Sequence, residues 1–251
     1  APERHPIPWQ DPDFYNEQKL DHEMRRQFDI CHGCRRCHNL CDSFPRLFDL
    51  IDESESMELD TVDSKDFKSV VDACTLCDMC FLAKCPYVPP HEFNLDLPHL
   101  MLRYRAVEHK KGETDLMTRQ ITKTDRNGKL AGAIAPIANW ATRTENKLTR
   151  PVLESVTGVD KNAAVPKFHR KPLTARAKTG AFTRNEEAPA ATRKVVVYAT
   201  CFVNYNDPEI GEDALEILAR NGVEVEVLHP TCCGMPKLEH GNIADVAKAA
   251  R

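Results

Sequence analysis

The chain has 251 residues, 41% of them hydrophobic, which is enough material for two ordinary domains with cores of their own. Its formal net charge of -4 argues against a nucleic-acid-binding protein, because phosphate binding usually needs a strongly basic face. The eleven cysteines are an odd number, so complete internal disulfide pairing is excluded.

Neither a secretory signal nor a membrane span is indicated. The N-terminal segment mixes proline and charge without an apolar core. Residues 130–140 form the longest mildly apolar run, far short of the roughly 20 apolar residues of a spanning helix. We therefore expect a cytoplasmic protein, with the inner face of the membrane as the alternative location. In that reducing compartment, clustered cysteines favour metal or redox chemistry over disulfides.

Two predicted helices each lead into a group of cysteines. Apolar residues recur at helical spacing over residues 17–30, and again ahead of the second group. They are Leu20, Met24 and Phe28 in the first case, and Phe67, Val70 and Val71 in the second. The acidic residues 49–66 between the groups are interpreted as a solvated face. The repetition predicts one module with approximate two-fold symmetry.

The middle of the chain carries no chemical motif. Apolar residues at helical spacing predict a helix from Leu97 to the basic end of "EHKKG". Residues 113–169 are expected to be helical in pieces, with Pro136 and Pro151 as breaks. Residues 175–193 contain almost no large apolar side chain, which indicates a linker.

The tail predicts a β-α-β unit with parallel strands. The strands are "KVVVYAT" and "VEVEVLHP", and the helix between them begins after Asp207 and ends before Gly222. Cys201 follows the first strand, and Cys232 and Cys233 follow the second. Ligands collect at the carboxyl ends of strands in open α/β sheets, so we expect these three thiols to converge. No glycine-rich loop follows the first strand, so a dinucleotide site is not predicted.

The two cysteine groups, "CHGCRRCHNLC" and "CTLCDMCFLAKC", each place three thiols at successive three-residue steps. Structural zinc sites usually take two separated pairs instead. In bacterial-type ferredoxins with two 4Fe–4S clusters, three such thiols bind one cluster and the fourth cysteine binds the other group's cluster. By this rule the ligands are Cys31, Cys34, Cys37 and Cys85 for cluster 1, and Cys74, Cys77, Cys80 and Cys41 for cluster 2.

The groups depart from the ferredoxin motif at two points. Cys41 is followed by Asp42 where proline is usual, and four residues instead of three separate Cys80 from Cys85. We expect the extra residue to alter the loop before Cys85. A double zinc ribbon and incidental buried thiols are the alternatives. The polar residues of the first group are predicted to point outward and add positive potential: His32, Arg35, Arg36 and His38.

The segment "TCCGMP", together with Cys201, resembles the cysteine-rich CCG domain of heterodisulfide reductase. With the cysteine module ahead of it, the chain resembles the iron–sulfur subunits of the heterodisulfide reductase and anaerobic glycerol-3-phosphate dehydrogenase superfamily. The resemblance implies an α+β protein in three parts. These are a mainly helical two-cluster ferredoxin-like module at 1–110, a helical connector and linker at 111–192, and a small β-α-β CCG domain at 193–251, expected to be an incomplete first copy.

This resemblance implies an electron-transfer subunit that relays electrons through two 4Fe–4S clusters. The partner would be a flavoprotein or other redox subunit in a hetero-oligomeric complex, and the acceptor a CCG-domain cluster or a quinone-linked carrier. Peripheral association with a membrane is compatible with it. Cys201, Cys232 and Cys233 would supply half of a site for a third iron–sulfur cluster. The alternatives are an enzyme that reduces a substrate at the CCG site and a zinc-binding interaction module.

Overall fold

The computed structural model of the chain describes residues 2–180 and 182–250. These residues are mainly helical, and the only sheet among them has two parallel strands, which confirms the predicted α+β class. They divide into two compact units: residues 2–115 with Met235–Ala249, and Leu116–Gly234. We call them the first and second units. The three-part domain division remains a prediction.

In the described part of the chain, the first unit contains helices α1–α4, α12 and α13, and the second contains α5–α11 with both strands. The helices are α1 (Glu17–Cys34), α2 (Ser43–Asp52), α3 (Phe67–Asp72), α4 (Leu97–Lys111), α5 (Leu116–Ile121), α6 (Thr124–Ala133), α7 (Ala135–Thr142), α8 (Arg150–Thr157), α9 (Leu173–Thr179), α10 (Cys201–Tyr205), α11 (Pro208–Arg220), α12 (Met235–Glu239) and α13 (Ile243–Ala249). The strands are β1 (Lys194–Tyr198) and β2 (Glu224–Leu228). A π-helical turn covers Cys80–Lys84.

The core of the first unit is built on the helices that lead into the cysteines. The buried face of α1 carries the predicted apolar residues at four-residue spacing, Leu20, Met24 and Phe28. Phe28 meets Phe67 of α3 edge to face, with ring centroids 5.1 Å apart. Such a pair adds about 0.5–1.5 kcal/mol to the area that it buries. Both predicted lead-in helices are therefore confirmed, and they are anchored to each other.

Helix α1 is longer than the sequence predicted, because it includes Cys31 and Cys34 instead of ending at residue 30. It ends where Arg35 adopts a left-handed conformation, with φ of 50°, and donates its amide hydrogen to the Cys31 carbonyl oxygen. A left-handed residue is a common way for a helix to end. The first two cysteines therefore lie on the rigid last turn of a helix.

Helix α2 was not predicted. Its last residues belong to the acidic segment 49–66, which was interpreted only as a solvated face. Its buried face is nevertheless periodic, with Phe44, Leu47, Phe48 and Ile51 almost fully buried. The spacing of three and four residues places all of them on one face. This helix packs against α3 and closes one side of the cysteine module.

Helix α4 is confirmed, and it ends at Gly112, which has a φ of 81° and is the left-handed residue that often ends a helix. The segment Met235–Ala249 packs against it. Ile243 lies in a small apolar cluster with Phe14, Leu102 and Ala106. A Cβ on Gly241 would lie 2.3 Å from the Arg105 backbone, so only glycine permits this approach.

The second unit begins with the helical pieces predicted for residues 113–169, which are α5 to α8. Pro136 and Pro151 each lie in the first turn of a helix, where the missing amide hydrogen costs nothing. Arg150 is almost fully buried and donates hydrogen bonds to the carbonyl oxygens of Asp160 and Ala163, at 2.7 Å each. This arginine ties the loop after α8 back to the helix.

The predicted β-α-β unit is confirmed. The strands β1 and β2 pair in parallel, with Lys194 opposite Glu224 and Tyr198 opposite Leu228. Helix α11 covers one face of the sheet through Leu215. Leu173 of α9 is fully buried in the same cluster.

The described residues of the predicted linker, 175–180 and 182–193, include part of a helix and side-chain hydrogen bonds. Residues 175–179 belong to α9, and Arg184 donates hydrogen bonds to the carbonyl oxygens of Gly222, at 2.7 Å, and Ala191. The lack of large apolar side chains had suggested that this segment does not pack, but its small side chains allow close packing. Among the described residues, no helix combines the length and apolar character that crossing a bilayer requires.

Candidate functional site: two cysteine centres

The first unit places the first cysteine group at a turn between two helices. Cys31 and Cys34 lie on the last turn of α1, while Cys37 and Cys41 lie in the turn that leads into α2. The turn is closed by hydrogen bonds from the His38 amide to the Arg35 carbonyl oxygen and from the Leu40 amide to the Cys37 carbonyl oxygen. Four thiols are thus held by a helix end and one tight turn.

The second group lies in a loop with an unusual backbone. Leu76 and Asp78 have φ angles of 51° and 62°, a left-handed conformation that side chains other than glycine seldom adopt. Such residues concentrate at functional sites, where the surrounding structure enforces them. They turn the chain so that Cys74, Cys77 and Cys80 follow one another around a curve.

The extra residue between Cys80 and Cys85 is absorbed by the π-helical turn. The Cys85 amide donates to the Cys80 carbonyl oxygen at 2.8 Å, which is the five-residue hydrogen bond of a π-helix. A turn with one more residue than an α-helical turn therefore connects the two cysteines. The predicted change in the loop before Cys85 takes this form.

Thiols from both groups line one apolar cavity. They are Cys31, Cys37, Cys80 and Cys85. The other lining residues are all apolar: Phe44, Phe81, Val88, Leu95 and Leu97. All eleven cysteines of the chain are free thiols in the structure. The cavity brings Cys85 of the second group to the thiols of the first.

The thiols of the predicted cluster 1 set are close enough to influence one another's ionisation. Burial raises the pKa of Cys31, and the neighbouring thiolate charges, led by Cys85 and Cys37, raise it further. Burial and the charges of Cys85 and Cys34 likewise raise the pKa of Cys37 to about 11. Burial and a nearby like charge both disfavour the thiolate. A bound cation would relieve both effects.

The predicted cluster 2 set shows the same pattern. Burial raises the pKa of Cys74, and the charges of Cys41 and Cys77 add to it. Burial is also the largest cause of the raised pKa of Cys80, to which Cys74, Cys37 and Cys41 contribute. The charge of Cys41 thus affects Cys37 of its own group as well as Cys74 and Cys80 of the second group, so the ionisation of the two sets is linked. The ligand assignment itself stays a prediction.

Polar groups around these thiols favour their charged form. The Cys85 sulfur accepts a hydrogen bond from the Tyr87 amide at 3.4 Å. The Arg105 guanidinium lowers the pKa of Cys74 against the effect of burial, and it donates to the carbonyl oxygens of Val71, at 2.6 Å, and Cys74. Hydrogen bonds and positive charges near thiolate sulfurs tune the reduction potential of a bound cluster.

Three of the four polar residues of the first group, Arg35, Arg36 and His38, are exposed, in line with the expectation, and His32 is partly buried. Hydrogen bonds from Arg35 and His32 lower the pKa of Asp52. His38 stacks on Phe48 with ring centroids 5.9 Å apart. Arg36 lies near enough to Cys85 for its charge to lower the pKa of that thiol. Arg36 is the one of the four with a direct influence on a predicted ligand.

In the second unit, two of the three CCG-type cysteines meet. The Thr124 hydroxyl lies 3.2 Å from the sulfurs of both Cys201 and Cys232, and the two thiols share a hydrogen bond. Cys233 is exposed. Burial raises the pKa of the Tyr198 hydroxyl, and the charges of Cys233, Cys201 and Cys232 raise it further. The expected convergence at the strand ends therefore brings Cys201 and Cys232 into contact.

Asp125 and His229 are functional candidates that the sequence analysis missed. Asp125 Oδ1 lies 2.8 Å from His229 Nε2 and 3.4 Å from the Cys201 sulfur. Its other oxygen accepts the Cys232 amide hydrogen at 2.7 Å. His229 directly follows β2, which was a usable signal, but Asp125 is 104 residues away in sequence and stands in a segment without motifs.

The ionisation of these groups follows from their contacts. Burial opposes the charged form of Asp125, but hydrogen bonds from His229 and Cys201 outweigh it and lower the pKa of the carboxyl. Burial raises the pKa of Cys201 to about 12. Burial also opposes the thiolate of Cys232, yet hydrogen bonds from Thr124, the Gly234 amide and Cys201 lower its pKa. Cys232 is therefore the first of the pair to ionise.

The donor sets fit iron–sulfur chemistry in the first unit. Thiolates are soft ligands that suit such clusters, and four of the eight, Cys31, Cys37, Cys80 and Cys85, line one apolar cavity. The backbone around these thiols has features suited to holding ligands. They are the left-handed loop, the π-helical turn and the amide groups that point toward sulfur. The second unit offers a different set, in which sulfur stands beside oxygen and nitrogen.

Comparison with known proteins finds similarity over parts of the chain. Residues 195–251 match the family of the cysteine-rich domain named CCG. The chain is 31% identical over 127 residues to the C subunit of anaerobic glycerol-3-phosphate dehydrogenase of Escherichia coli, covering 48% of this chain and 29% of that protein. It is 29% identical over 83 residues to citrate utilization protein B of Escherichia coli, covering 33% of this chain and 19% of that protein.

A third relative is lactate utilization protein A of Bacillus pumilus, 37% identical over 59 residues, which are 23% of this chain and 25% of that protein. No solved structure gave a significant match. The chain thus spans less than a third of the length of the curated relatives it matches. Residues 195–251 therefore match the cysteine-rich CCG domain, and part of the chain is similar to the C subunit of anaerobic glycerol-3-phosphate dehydrogenase.

Proposed function

We propose that the chain is an iron–sulfur electron-transfer subunit whose eight ferredoxin-type cysteines hold two 4Fe–4S clusters. One set is Cys31, Cys34, Cys37 and Cys85, and the other is Cys74, Cys77, Cys80 and Cys41. Bound clusters of this kind would accept and release single electrons. The observation that carries the proposal is the shared apolar cavity, in which Cys85 lies with the first group's thiols.

The protein's own contribution is to hold the thiols, exclude water and supply charge. Phe44 and Phe81 wall the cavity and are almost fully buried. Burial in this apolar cavity strengthens the charge interactions of the thiols that line it. The Arg105 guanidinium acts on the Cys74 thiolate, which is not among the lining residues. We infer that these residues set the potential at which the chain exchanges electrons.

Electron exchange with a partner is proposed to occur beside Cys77, the exposed thiol of the cluster 2 set. Met79 and Leu82 flank it, and both are large apolar side chains exposed by about half or more, at 49% and 63%. Exposed apolar residues around a redox site are typical of a docking surface. The partner proposed here is a flavoprotein or other redox subunit in a larger complex.

Anaerobic purification with iron and sulfide analysis tests the proposal. We expect about eight irons and about eight sulfides per chain, with the EPR signals of reduced 4Fe–4S clusters. Replacing Cys34 by serine should reduce the iron content by about half, since it removes one ligand of one cluster. Replacing the exposed Cys233 by serine is the matched control and should leave these clusters intact. A colourless protein that contains only zinc would refute the proposal.

A further inference from the structure

The N-terminal segment is joined to the second cysteine group through the side chain of Arg4. Its guanidinium donates two hydrogen bonds to the Asp78 carboxylate, at 2.7 and 2.9 Å, and two to the Asp96 carboxylate, at 2.8 Å each. Both pairs are bidentate and together use donors on Nε, Nη1 and Nη2. The planar guanidinium therefore fixes two carboxylates relative to each other, which the single ammonium of a lysine could not do.

Asp78 belongs to the loop that carries the second group's thiols, and its backbone needs support from outside the loop. It lies between Cys77 and Cys80 and has a φ of 62°, in the left-handed region. Its carbonyl oxygen accepts the Leu82 amide hydrogen at 2.8 Å, where the chain enters the π-helical turn. A left-handed residue other than glycine persists where surrounding contacts enforce it. The bidentate pair with Arg4 is a contact of this kind.

Asp96 supplies the fixed end of the connection. Its Oδ1 atom also accepts the His99 amide hydrogen at 3.1 Å, so Asp96 caps the first turn of α4. Its neighbours in sequence, Leu95 and Leu97, both line the apolar cavity. Arg4 therefore ties the left-handed loop to the start of a long helix.

The same guanidinium lies over a wall of the cavity. Its central carbon is 4.4 Å from the ring centroid of Phe81, within the range of a cation–π contact. Phe81 is almost fully buried, directly follows Cys80 and lines the cavity together with that thiol. Since Asp78 precedes Cys80 and Phe81 follows it, Arg4 holds the chain on both sides of this cysteine.

We propose that Arg4 is a positioning residue for the second cysteine group, and that it holds the Cys77–Cys80 loop in the shape that binds a cluster. The inference rests on the proposed function, in which the cluster 2 set holds iron and sulfide. Arg4 acts through Asp78 and Phe81, neither of which is a proposed ligand. Contacts that orient ligands determine how firmly a metal centre is held, and nearby charge tunes its potential.

Two substitutions of Arg4 separate its geometry from its charge. Arg4→Lys keeps the positive charge but loses the bidentate pairs, whereas Arg4→Met removes both. Asp78→Asn breaks the same contact from the other side. Arg26→Lys and Arg26→Met are the matched controls, because Arg26 forms a bidentate pair with Glu23 on α1, at 2.6 and 2.8 Å.

The test uses the full chain, purified anaerobically, and follows the release of iron to an excess of a ferrous chelator. Losing a contact that orients a ligand typically weakens metal binding by about 10–100-fold, so Arg4→Lys and Arg4→Met should both release about half of the iron about tenfold or more faster. The cluster released should be the one whose EPR signal Cys77→Ser removes. Asp78→Asn should act alike, and Arg4→Lys combined with it should add nothing, because both remove one contact. The Arg26 variants should release iron at the unaltered rate.

An EPR-monitored redox titration supplies a readout that a merely structural role would not move. In Arg4→Met the carboxylates of Asp78 and Asp96 lose their counter-charge, so the potential of cluster 2 should fall while that of cluster 1 stays. In Arg4→Lys, which keeps the charge, the potential should fall less. Circular dichroism should show the same helix content in every variant, which establishes that the chain has folded.

The possible results distinguish this inference from the proposed function. If Arg4→Lys releases iron at the unaltered rate, Arg4 acts through charge alone and the positioning role is overturned. The same holds if Arg4→Met behaves like Arg26→Met while the unaltered protein shows both cluster signals. An unaltered protein without 4Fe–4S signals refutes the proposed function itself, and the role of Arg4 falls with it.

Discussion

The two cysteine centres of this chain use the same residue in opposite surroundings. In the first unit, thiols line a cavity together with Phe44, Phe81 and other apolar residues. In the second unit, Cys201 and Cys232 stand among the hydroxyl of Thr124, the carboxylate of Asp125 and the imidazole of His229. The thiols of the two units therefore differ in the atoms that surround them, which are apolar in the first unit and oxygen and nitrogen in the second.

The largest effect is expected from Cys41→Ser. This substitution tests whether the fourth cysteine of each group binds the cluster that the other group's three cysteines hold. Cys41 stands with Cys74 and Cys80, whose pKa values its charge helps to raise. We expect the iron content to fall by about half, and the lost EPR signal to be the one that Cys77→Ser also removes. A spectrum that matches Cys34→Ser instead would show that each cysteine group binds its own cluster.

A smaller effect should separate the stability of the two units. Leu173 is fully buried and contacts Gly211 of α11 in the core of the second unit. Leu173→Ala should destabilise that unit by about 2–5 kcal/mol, from lost burial and the cavity left behind. Denaturant unfolding followed by circular dichroism should show the loss. The iron absorbance of the first unit should keep its midpoint, and a parallel loss of both signals would contradict separate stability.

The charge environment of the first centre can be changed without removing a ligand. Arg105→Gln removes a positive charge near Cys74, so the reduced, more negative form of the cluster should become harder to reach and its potential should fall. Iron content should stay unchanged. Arg103→Gln is the matched control on the same helix, because Arg103 donates to the carbonyl oxygens of Phe14 and Asp13. Equal potentials in both variants would exclude a role for Arg105.

The smallest effect concerns a clamp that fixes the N-terminal segment to the first unit. Arg4 pairs with Asp96 at 2.8 Å and with Asp78 at 2.7 Å. Burial opposes the charged form of Asp96, but its hydrogen bonds with Arg4 and His99 prevail and lower its pKa to about 2.

Because the folded pKa of Asp96 is depressed, its contribution is present above the unfolded pKa of about 3.9 and is lost as pH falls toward 2. Arg4→Met should cost about 1 kcal/mol at neutral pH, a partly exposed pair being discounted for solvent screening. The difference between the variant and the unaltered protein should vanish near pH 2 in denaturant titrations. Arg4 also lies over the Phe81 ring, 4.4 Å from its centroid, so a difference that persists there would show that Arg4 acts through this packing.

The sequence was a good guide wherever a local pattern determined the structure. The four-residue spacing of Leu20, Met24 and Phe28 predicted α1, and the β-branched runs with Asp207 and Gly222 between them predicted the β-α-β unit. In α1 the pattern and the burial coincide, because one periodic face supplies the core contacts. In β1 they do not, because the strand is largely exposed, with Val196 at 59%. Helix α2 had the same kind of signal as α1, which the neighbouring acidic residues obscured.

What escaped prediction depends on contacts between distant residues. Nothing in the sequence around Asp125 links it to His229, since the link arises only when α6 packs beside the ends of two strands. The packing of Ile243 against Phe14 and Leu102 could not be predicted from the sequence either, because a single isoleucine has many possible neighbours. The buried Arg150, which satisfies the carbonyl oxygens of its own loop, also lacks a sequence signature.

The π-helical turn at Cys80–Lys84 bears on how such proteins are recognised in genomes. One added residue in an α-helix would rotate everything after it by about 100 degrees, whereas a local widening of the turn absorbs the insertion. Cys85 therefore keeps its place beside Cys31 and Cys37 in spite of the longer spacing. A motif search that fixes the third gap at three residues would pass over this chain. In this chain the position of the Cys85 sulfur is compatible with a four-residue gap, because the helical turn before it widens.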